Sequence, residues 1–305
     1  MATRLEVGTL FAGRYLLRTH LGDGGMASVF AAEDTLLARN VAVKVLRGSS
    51  GATVAADRFL HEARALASLD FPHLVPLYDA GWHDGAPFLV MKLLSGRTLR
   101  DLLRDGRGLP MTRSLVIVSQ VLKALGHIHR RGLVHRDVKP ENVFVAHDDH
   151  VTLVDLGIAY DARHDLTTPG QPVVGTPRYM SPEQAKGDHG DARSDLYAVG
   201  LLLFEAMTGR SPFAGVAEGT TGEGVIAPPS LSPEALVAIP HEITDVVMRA
   251  LDPDPNRRFQ SAMEMRGSLL RIPPGRARRV TPLEGYPSVG APSPDIDTEV
   301  GKIRS

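Results

Sequence analysis

The sequence predicts an α+β fold, on three observations. Its first third reads as short strands gathered round a glycine-rich turn. The remainder reads as helices, one of them apolar on nearly every face. A small hairpin interrupts the helical part, where Val143-Phe144-Val145 and residues 151–154 flank the polar turn 146–150.

Taken in order, residues 15–21 and 29–32 supply the first two strands, and the β-branched run Val41-Ala42-Val43-Lys44-Val45 supplies a third. Within 57–69 the apolar residues at 59, 63, 66 and 69 recur at helical spacing. Residues 87–93 read as a further strand. Beyond them, 115–129 is amphipathic. Residues 194–208 have almost no polar face, which places that helix inside the fold. Ser181-Pro182-Glu183-Gln184 has a serine cap, a proline in the first turn and Gln three residues after the cap, the pattern of a helix start. Residues 214–233, rich in Gly, Thr and Pro, predict a loop. From 273 onward Pro, Gly and charge follow no period, which predicts a disordered tail.

Composition excludes several functions. The chain has 305 residues, of which 43% are hydrophobic, enough for a sizeable core. Its formal net charge of −1 gives no field for binding nucleic acid as a whole molecule. It has no cysteine, so disulfides, thiolate zinc sites and a cysteine nucleophile are ruled out. A reducing compartment suits such a chain, and a cytoplasmic location is expected. Residues 1–13 lack the apolar core of a signal peptide. The longest apolar stretch, 196–207, contains Glu205 and falls short of the roughly 20 residues that a membrane span needs. No transmembrane segment and no nucleic-acid partner are therefore expected.

Three motifs carry chemistry. In Leu21-Gly22-Asp23-Gly24-Gly25-Met26-Ala27-Ser28-Val29 the glycines let backbone N–H groups approach phosphates, since no Cβ intervenes. Alone it reads equally as a hairpin turn. It is no dinucleotide fingerprint, because a strand follows, and no Walker A loop, because no Gly-Lys-Ser/Thr ends it. Only six of the 34 basic residues are lysines, so the position of each counts. Lys44 shares a strand face with Ala42, a small residue where a flat base can lie beside a cation for phosphate. Glu62 on the following helix could pair with Lys44 and aim it.

The third motif is His135-Arg136-Asp137-Val138-Lys139-Pro140-Glu141-Asn142. Asp137 can accept the proton of a hydroxyl, Lys139 can neutralise a transferring phosphate, and Asn142 can ligate Mg2+ through its amide oxygen. Thirteen residues later Asp155-Leu156-Gly157 follows a predicted strand, and Asp155 is a second oxygen ligand. Two such ligands plus nucleotide phosphates suit Mg2+, which keeps several waters.

Together these strings resemble the protein kinase superfamily, and most of all the eukaryotic-like serine/threonine kinases of bacteria. The resemblance runs from about residue 14 to 271 and includes VAVK at 41–44, HRDVKPEN at 135–142, DLG at 155–157, GTPRYMSPEQ at 175–184, RSDLYAVGLLLFEAMTGRSPF at 193–213 and Arg258. It implies a bilobal fold: an N-terminal segment 1–13, then a kinase domain 14–272 with a small β-rich lobe 14–91, a hinge 92–97 and a mainly helical lobe 98–272, then a tail 273–305. By the same resemblance ATP would lie in the cleft under residues 21–29. Val29 and Ala42 would cover the base and Phe144 would lie beneath it. Met91 resembles the gatekeeper, and backbone groups of Lys92 and Leu94 would hold adenine. Leu66, Leu77, His135 and Leu156 resemble an apolar column joining the lobes. Asp195 would anchor the catalytic loop and Glu183 would pair with Arg258.

The implied activity is transfer of the γ-phosphoryl group of Mg-ATP to protein serine or threonine hydroxyls, with Asp137 and Lys139 catalytic and Asn142 and Asp155 holding Mg2+. Lys139 and Thr176 resemble the serine/threonine class. Arg136 beside Asp137 implies activation by a phosphothreonine, with Thr167 and Thr168 as the expected autophosphorylation sites. A homodimer is compatible with such modification in trans. Ala27, Leu156 and Lys92 depart from the commonest family residues, and the glycines at 215, 219, 222 and 224 disfavour the substrate-docking helix of relatives. The rival readings are a pseudokinase scaffold and a small-molecule kinase. Lys44, Asp137, Asn142 and Asp155, all present, count against the first.

Overall fold

The run Val41–Val45 becomes the middle of an antiparallel sheet in the computed structural model, which describes residues 5–23, 27–46, 59, 63–64, 66–156, 177–210 and 239–272. Six strands take part: β1 (Leu10–Phe11), β2 (Tyr15–Asp23), β3 (Ala27–Asp34), β4 (Arg39–Leu46), β5 (Leu77–His83) and β6 (Ala86–Lys92), in spatial order β1-β2-β3-β4-β6-β5. Strand alternation sorts β4 by face. Val41, Val43 and Val45 join Phe11, Tyr15, Leu17, Phe30 and Val90 in the core of this lobe. Ala42 and Lys44 take the other side. Phe59 and Ala63, at helical positions before β5, pack with Leu89 on a separate small cluster.

β5 has no period-two run of β-branched residues, so propensity alone does not reveal it. Its Gly81 is needed because a Cβ there would lie 2.9 Å from the Phe88 ring of β6. Packing against β6 therefore makes the strand.

The larger lobe begins with β7 (Arg97–Thr98), α1 (Leu99–Leu102) and α2 (Met111–His129). α2 starts four residues earlier than its apolar period suggests, directly after Pro110. Its buried residues Ile117, Val121, Leu125 and Ile128 form one stripe, as an amphipathic helix requires. β8 (Val143–Val145) and β9 (Val151–Leu153) form the expected hairpin and pair with β7 in a three-stranded sheet. Then follow α3 (Pro182–Ala185), α4 (Ala192–Thr208), α5 (His241–Ala250) and α6 (Ala262–Leu270). Ser181 and Gln184 form the reciprocal cap that starts α3.

α4 is buried along nearly its whole length and packs against α2 and α5. Asp191 caps its start by accepting from Arg193 N at 2.7 Å. Gly209 ends it at φ +66°, where a Cβ would meet the Gly106 carbonyl at 2.4 Å. The lobes are joined by backbone: Leu153 N donates to His73 O at 2.9 Å, and Val75 N to Leu153 O at 3.1 Å. The architecture is the bilobal α+β fold of the protein kinases. The expectations for 214–233 and 273–305 lie outside the described residues. No helix among the described residues is long and apolar enough to cross a membrane.

Candidate active site

After α2 ends, the chain runs through His135 to Asn142 under the control of one carboxylate. Asp195, in the first turn of α4, accepts from His135 N at 2.9 Å, Arg136 N at 2.8 Å and the His129 Nε2–H at 2.7 Å. These bonds hold Arg136 at φ +63°, a backbone region costly for a residue with a Cβ. The His135 ring is fully buried. Its Nε2–H donates to Val154 O at 3.1 Å and its Nδ1 accepts from Asp137 N at 3.3 Å. Burial pushes its pKa down, so it is a neutral spacer that sets the position of Asp137.

Asp137 in turn receives donors from its own segment. Lys139 Nζ lies 2.9 and 2.8 Å from its two carboxylate oxygens. Asn142 Nδ2 donates to Asp137 O at 2.8 Å and to Asp137 Oδ2 at 3.0 Å. The short turn Pro140–Asn142 brings Asn142 back over Asp137. Val154 N donates to Asn142 O at 2.9 Å, which sets Asp155 beside Asn142. Asp155 itself stands at φ +59°.

The opposite wall comes from the small lobe. Lys44 Nζ reaches Asp155 Oδ1 at 2.7 Å across the cleft. In register, Val29 lies opposite Lys44, and Ala42 opposite Met91. Ala42 and Met91 are buried, and Phe144 of β8 is half-buried in the large lobe. Lys92 N already donates to Pro76 O at 3.1 Å, so its backbone has no N–H left for a ligand. Leu94 follows in the connecting segment. Before the glycine-rich turn, Leu21, Gly22 and Asp23 end β2, and after it Ala27 and Ser28 begin β3. Ser28 Oγ donates to Asp23 Oδ1 at 2.6 Å, tying the two strands together.

Gly24, Gly25, Met26, Glu62, Gly157, Thr167, Thr168 and Thr176 lie outside the described residues, and with them the Lys44–Glu62 pairing. Of the column residues, Leu66 and Leu156 pack on the large-lobe core, whereas Leu77 packs on the Phe59–Ala63–Leu89 cluster. Besides the Lys44–Asp155 contact, two connections escaped sequence reasoning. One is His129 on Asp195, which only the fold brings together. The other is Arg100, whose Nε donates to Glu141 at 2.7 Å and whose Nη1 meets buried Glu205. The charged Glu205 within an apolar helix was its one visible signal.

The family model described as "Protein kinase domain" matches residues 15–268. The chain belongs to the protein kinase family. This kinase domain is 44% identical over 279 residues to the probable serine/threonine-protein kinase SCO3848 of Streptomyces coelicolor, covering 86% of the chain and 40% of that relative. It is 40% identical to the serine/threonine-protein kinase PknB of Mycobacterium leprae (86% of the chain, 43% of the relative) and 34% identical to PrkC of Bacillus subtilis (86% and 41%). The chain thus spans about two-fifths of the length of these relatives. Among solved structures, Rad53 in complex with AMP-PNP superposes with a TM-score of 0.69 at 24% identity, over 84% of this chain and 64% of that one. That likeness is one of fold.

The domain also carries the long-range pair Glu183–Arg258. Both guanidinium Nη atoms sit 2.7 Å from the Glu183 oxygens, and Ser194 Oγ adds a third donor at 2.7 Å. Burial would raise the Glu183 carboxyl, but Arg258 and Ser194 outweigh it and hold it at about 2, below its ordinary 4.5. In the small lobe the Arg14 fork, with bonds of 2.8 Å, brings Asp34 from 3.8 down to about 2. Both groups are ionised in the folded and unfolded chain above pH 4.5. As pH falls from there toward 2, the unfolded chain takes up protons that the folded chain refuses, so folding loses free energy. Glu183 contributes on the order of 2 kcal/mol to this loss after allowance for solvent. Urea midpoints measured from pH 6 to pH 2.5 should fall steeply below pH 4.5. With Glu183→Gln that fall should be shallower, and an unchanged slope would contradict the assignment.

Proposed function

We propose that this chain is a serine/threonine protein kinase that transfers the γ-phosphoryl group of Mg-ATP to protein hydroxyls. The observation that supports it best is the convergence of Lys44, Asp155, Asn142, Asp137 and Lys139 on one stretch of cleft. The named serine/threonine kinases at 34–44% identity support the same reaction class.

The donor set fits Mg2+. Asn142 makes both side-chain bonds to Asp137 through its amide nitrogen, which leaves Oδ1 available as an oxygen ligand, and the bond from Val154 N to Asn142 O makes Asp155 a backbone neighbour of Asn142. No cluster of three or more His, Cys, Asp or Glu able to cage a metal occurs among the described residues. Mg2+ suits such a sparse set, since it is commonly held by one or two carboxylate-type oxygens and substrate phosphates. When bound there, it neutralises phosphate charge as the phosphoryl group leaves. Asn142 and Asp155 would hold it.

The chain's own residues perform the remaining tasks. Lys44, on the rigid middle strand, places a cation against the phosphates. Asp137 takes the hydroxyl proton as the acceptor oxygen bonds to the γ-phosphorus and the bond from that phosphorus to the bridging oxygen breaks, releasing ADP, and Lys139 balances the charge on the transferred group. Catalysis of this kind is positioning plus electrostatics. Ala42, Val29 and Phe144 offer an apolar slot for a base, and Lys92 O with Leu94 N the backbone polar groups at its edge. Autophosphorylation at Thr167 or Thr168 belongs to the same proposal, with Arg136 as the phosphate's partner.

Incubation with γ-labelled ATP and a general protein acceptor tests the reading. Label should enter serine and threonine of the acceptor only when Mg2+ is present. Phosphopeptide mapping should find label in the kinase itself at 167 or 168. No transfer by folded, nucleotide-binding protein removes the reading, and an active enzyme unmodified at both threonines removes the regulatory part.

A further inference from the structure

Arg100 is a single guanidinium serving three oxygens. Its Nε donates to Glu141 at 2.7 Å, Nη1 to Glu205, and Nη2 to the Tyr179 hydroxyl at 3.2 Å. Tyr179 OH donates to the second Glu205 oxygen. Only an arginine has the planar fork for this; a lysine ammonium could not span the set. Thr98 and Asp101 form a reciprocal cap that fixes the start of α1 and so the origin of the side chain.

The position of this cluster matters for the acceptor. Glu141 directly precedes Asn142 and follows Asp137 by four residues. Its side chain is 46% exposed, whereas Glu205 beneath is 3% exposed. A peptide that delivers its hydroxyl to Asp137 must run over the surface made by 137–142. A residue two places from the acceptor reaches only about 7 Å away along an extended chain. The exposed carboxylate of Glu141 is therefore within reach of that residue's side chain, while Glu205 lies buried beneath it. With Arg100 in place the exposed part of the cluster is already paired.

We propose that Arg100 is a specificity-determining residue of the phosphotransfer reaction. It occupies, from within the enzyme, the exposed Glu141 carboxylate that would otherwise receive a basic side chain of the acceptor, and buried Glu205 holds it there. Peptides with arginine beside the acceptor hydroxyl are consequently not preferred. The proposal rests on the kinase reading above.

The test uses serine peptides that are identical apart from one arginine placed one or two residues before or after the serine, against an all-alanine parent. For the unaltered enzyme, kcat/KM for every arginine peptide should stay within about twofold of the parent, because Glu141, the exposed carboxylate beside the acceptor, is already paired with Arg100. Arg100→Gln combined with Glu205→Gln leaves no buried charge unpaired and frees Glu141. This variant should favour at least one arginine peptide by about fivefold, the worth of one exposed ion pair. Adding Glu141→Gln should abolish the preference.

Two results overturn the idea. One is a marked arginine preference in the unaltered enzyme, a measurement that needs no variant. The other is a double variant with an unchanged melting midpoint that phosphorylates the parent peptide and treats all peptides alike; Arg100 then merely ties α1 to α4. If the unaltered enzyme phosphorylates no peptide and not itself, the kinase reading has failed, and this proposal goes with it.

Discussion

Asp137→Asn should lower kcat for phosphate transfer by about 10³-fold, within the range a positioned proton acceptor supplies. The substitution preserves the shape of the side chain and one oxygen. It replaces an acceptor with an NH2 group where Lys139 at 2.8 Å and Asn142 at 3.0 Å both present donors. Two donors would then face a third, and no group would remain to take the hydroxyl proton. Nucleotide affinity should change little, because Lys44, Asn142 and Asp155 are untouched. Steady-state kinetics with labelled ATP, paired with calorimetric titration of an ATP analogue, separates the two effects. Transfer at the unaltered rate would mean that Asp137 does not act on the proton.

Arg258→Met should be the most damaging single change to stability, costing about 3–5 kcal/mol, as expected when one partner of a buried ion pair is removed. The Arg258 side chain is fully buried. Besides its two bonds to Glu183 it donates to Asp252 O at 2.7 Å and lies 4.9 Å from the centre of the Tyr197 ring. Methionine fills the volume but leaves the Glu183 charge uncompensated. Combining it with Glu183→Gln should recover more than half the loss, because the unpaired charge is then gone. Denaturant midpoints at neutral pH for the two single variants and the double decide it. Equal losses in Arg258→Met and the double variant would show that the charge pair is not the cause.

How far the sequence revealed this arrangement depended on the range of the interaction. Contacts within one segment were legible: the Ser181–Gln184 cap, the β8–β9 hairpin and the nearly all-apolar α4 all follow from local pattern. The alternation along β4 correctly put Ala42 and Lys44 on one face. Glu183–Arg258 and Asp195 on the 135–136 backbone were accessible only through resemblance to the kinases, since no periodicity relates residues 75 or 60 positions apart. The Lys44–Asp155 contact and the Arg100 cluster were missed because each depends on how two lobes or three elements meet. β5 was missed because its strand character comes from β6 and not from its own residues.

The attachment of residues 135 and 136 to Asp195 has one more consequence. α4 is the most deeply embedded of the described helices of the large lobe, so the segment bearing Asp137, Lys139 and Asn142 inherits the resistance of that interior to local opening. The β1–β6 sheet has an interior of its own. Breathing of that sheet can therefore proceed while residues 137–142 of the other lobe keep their geometry.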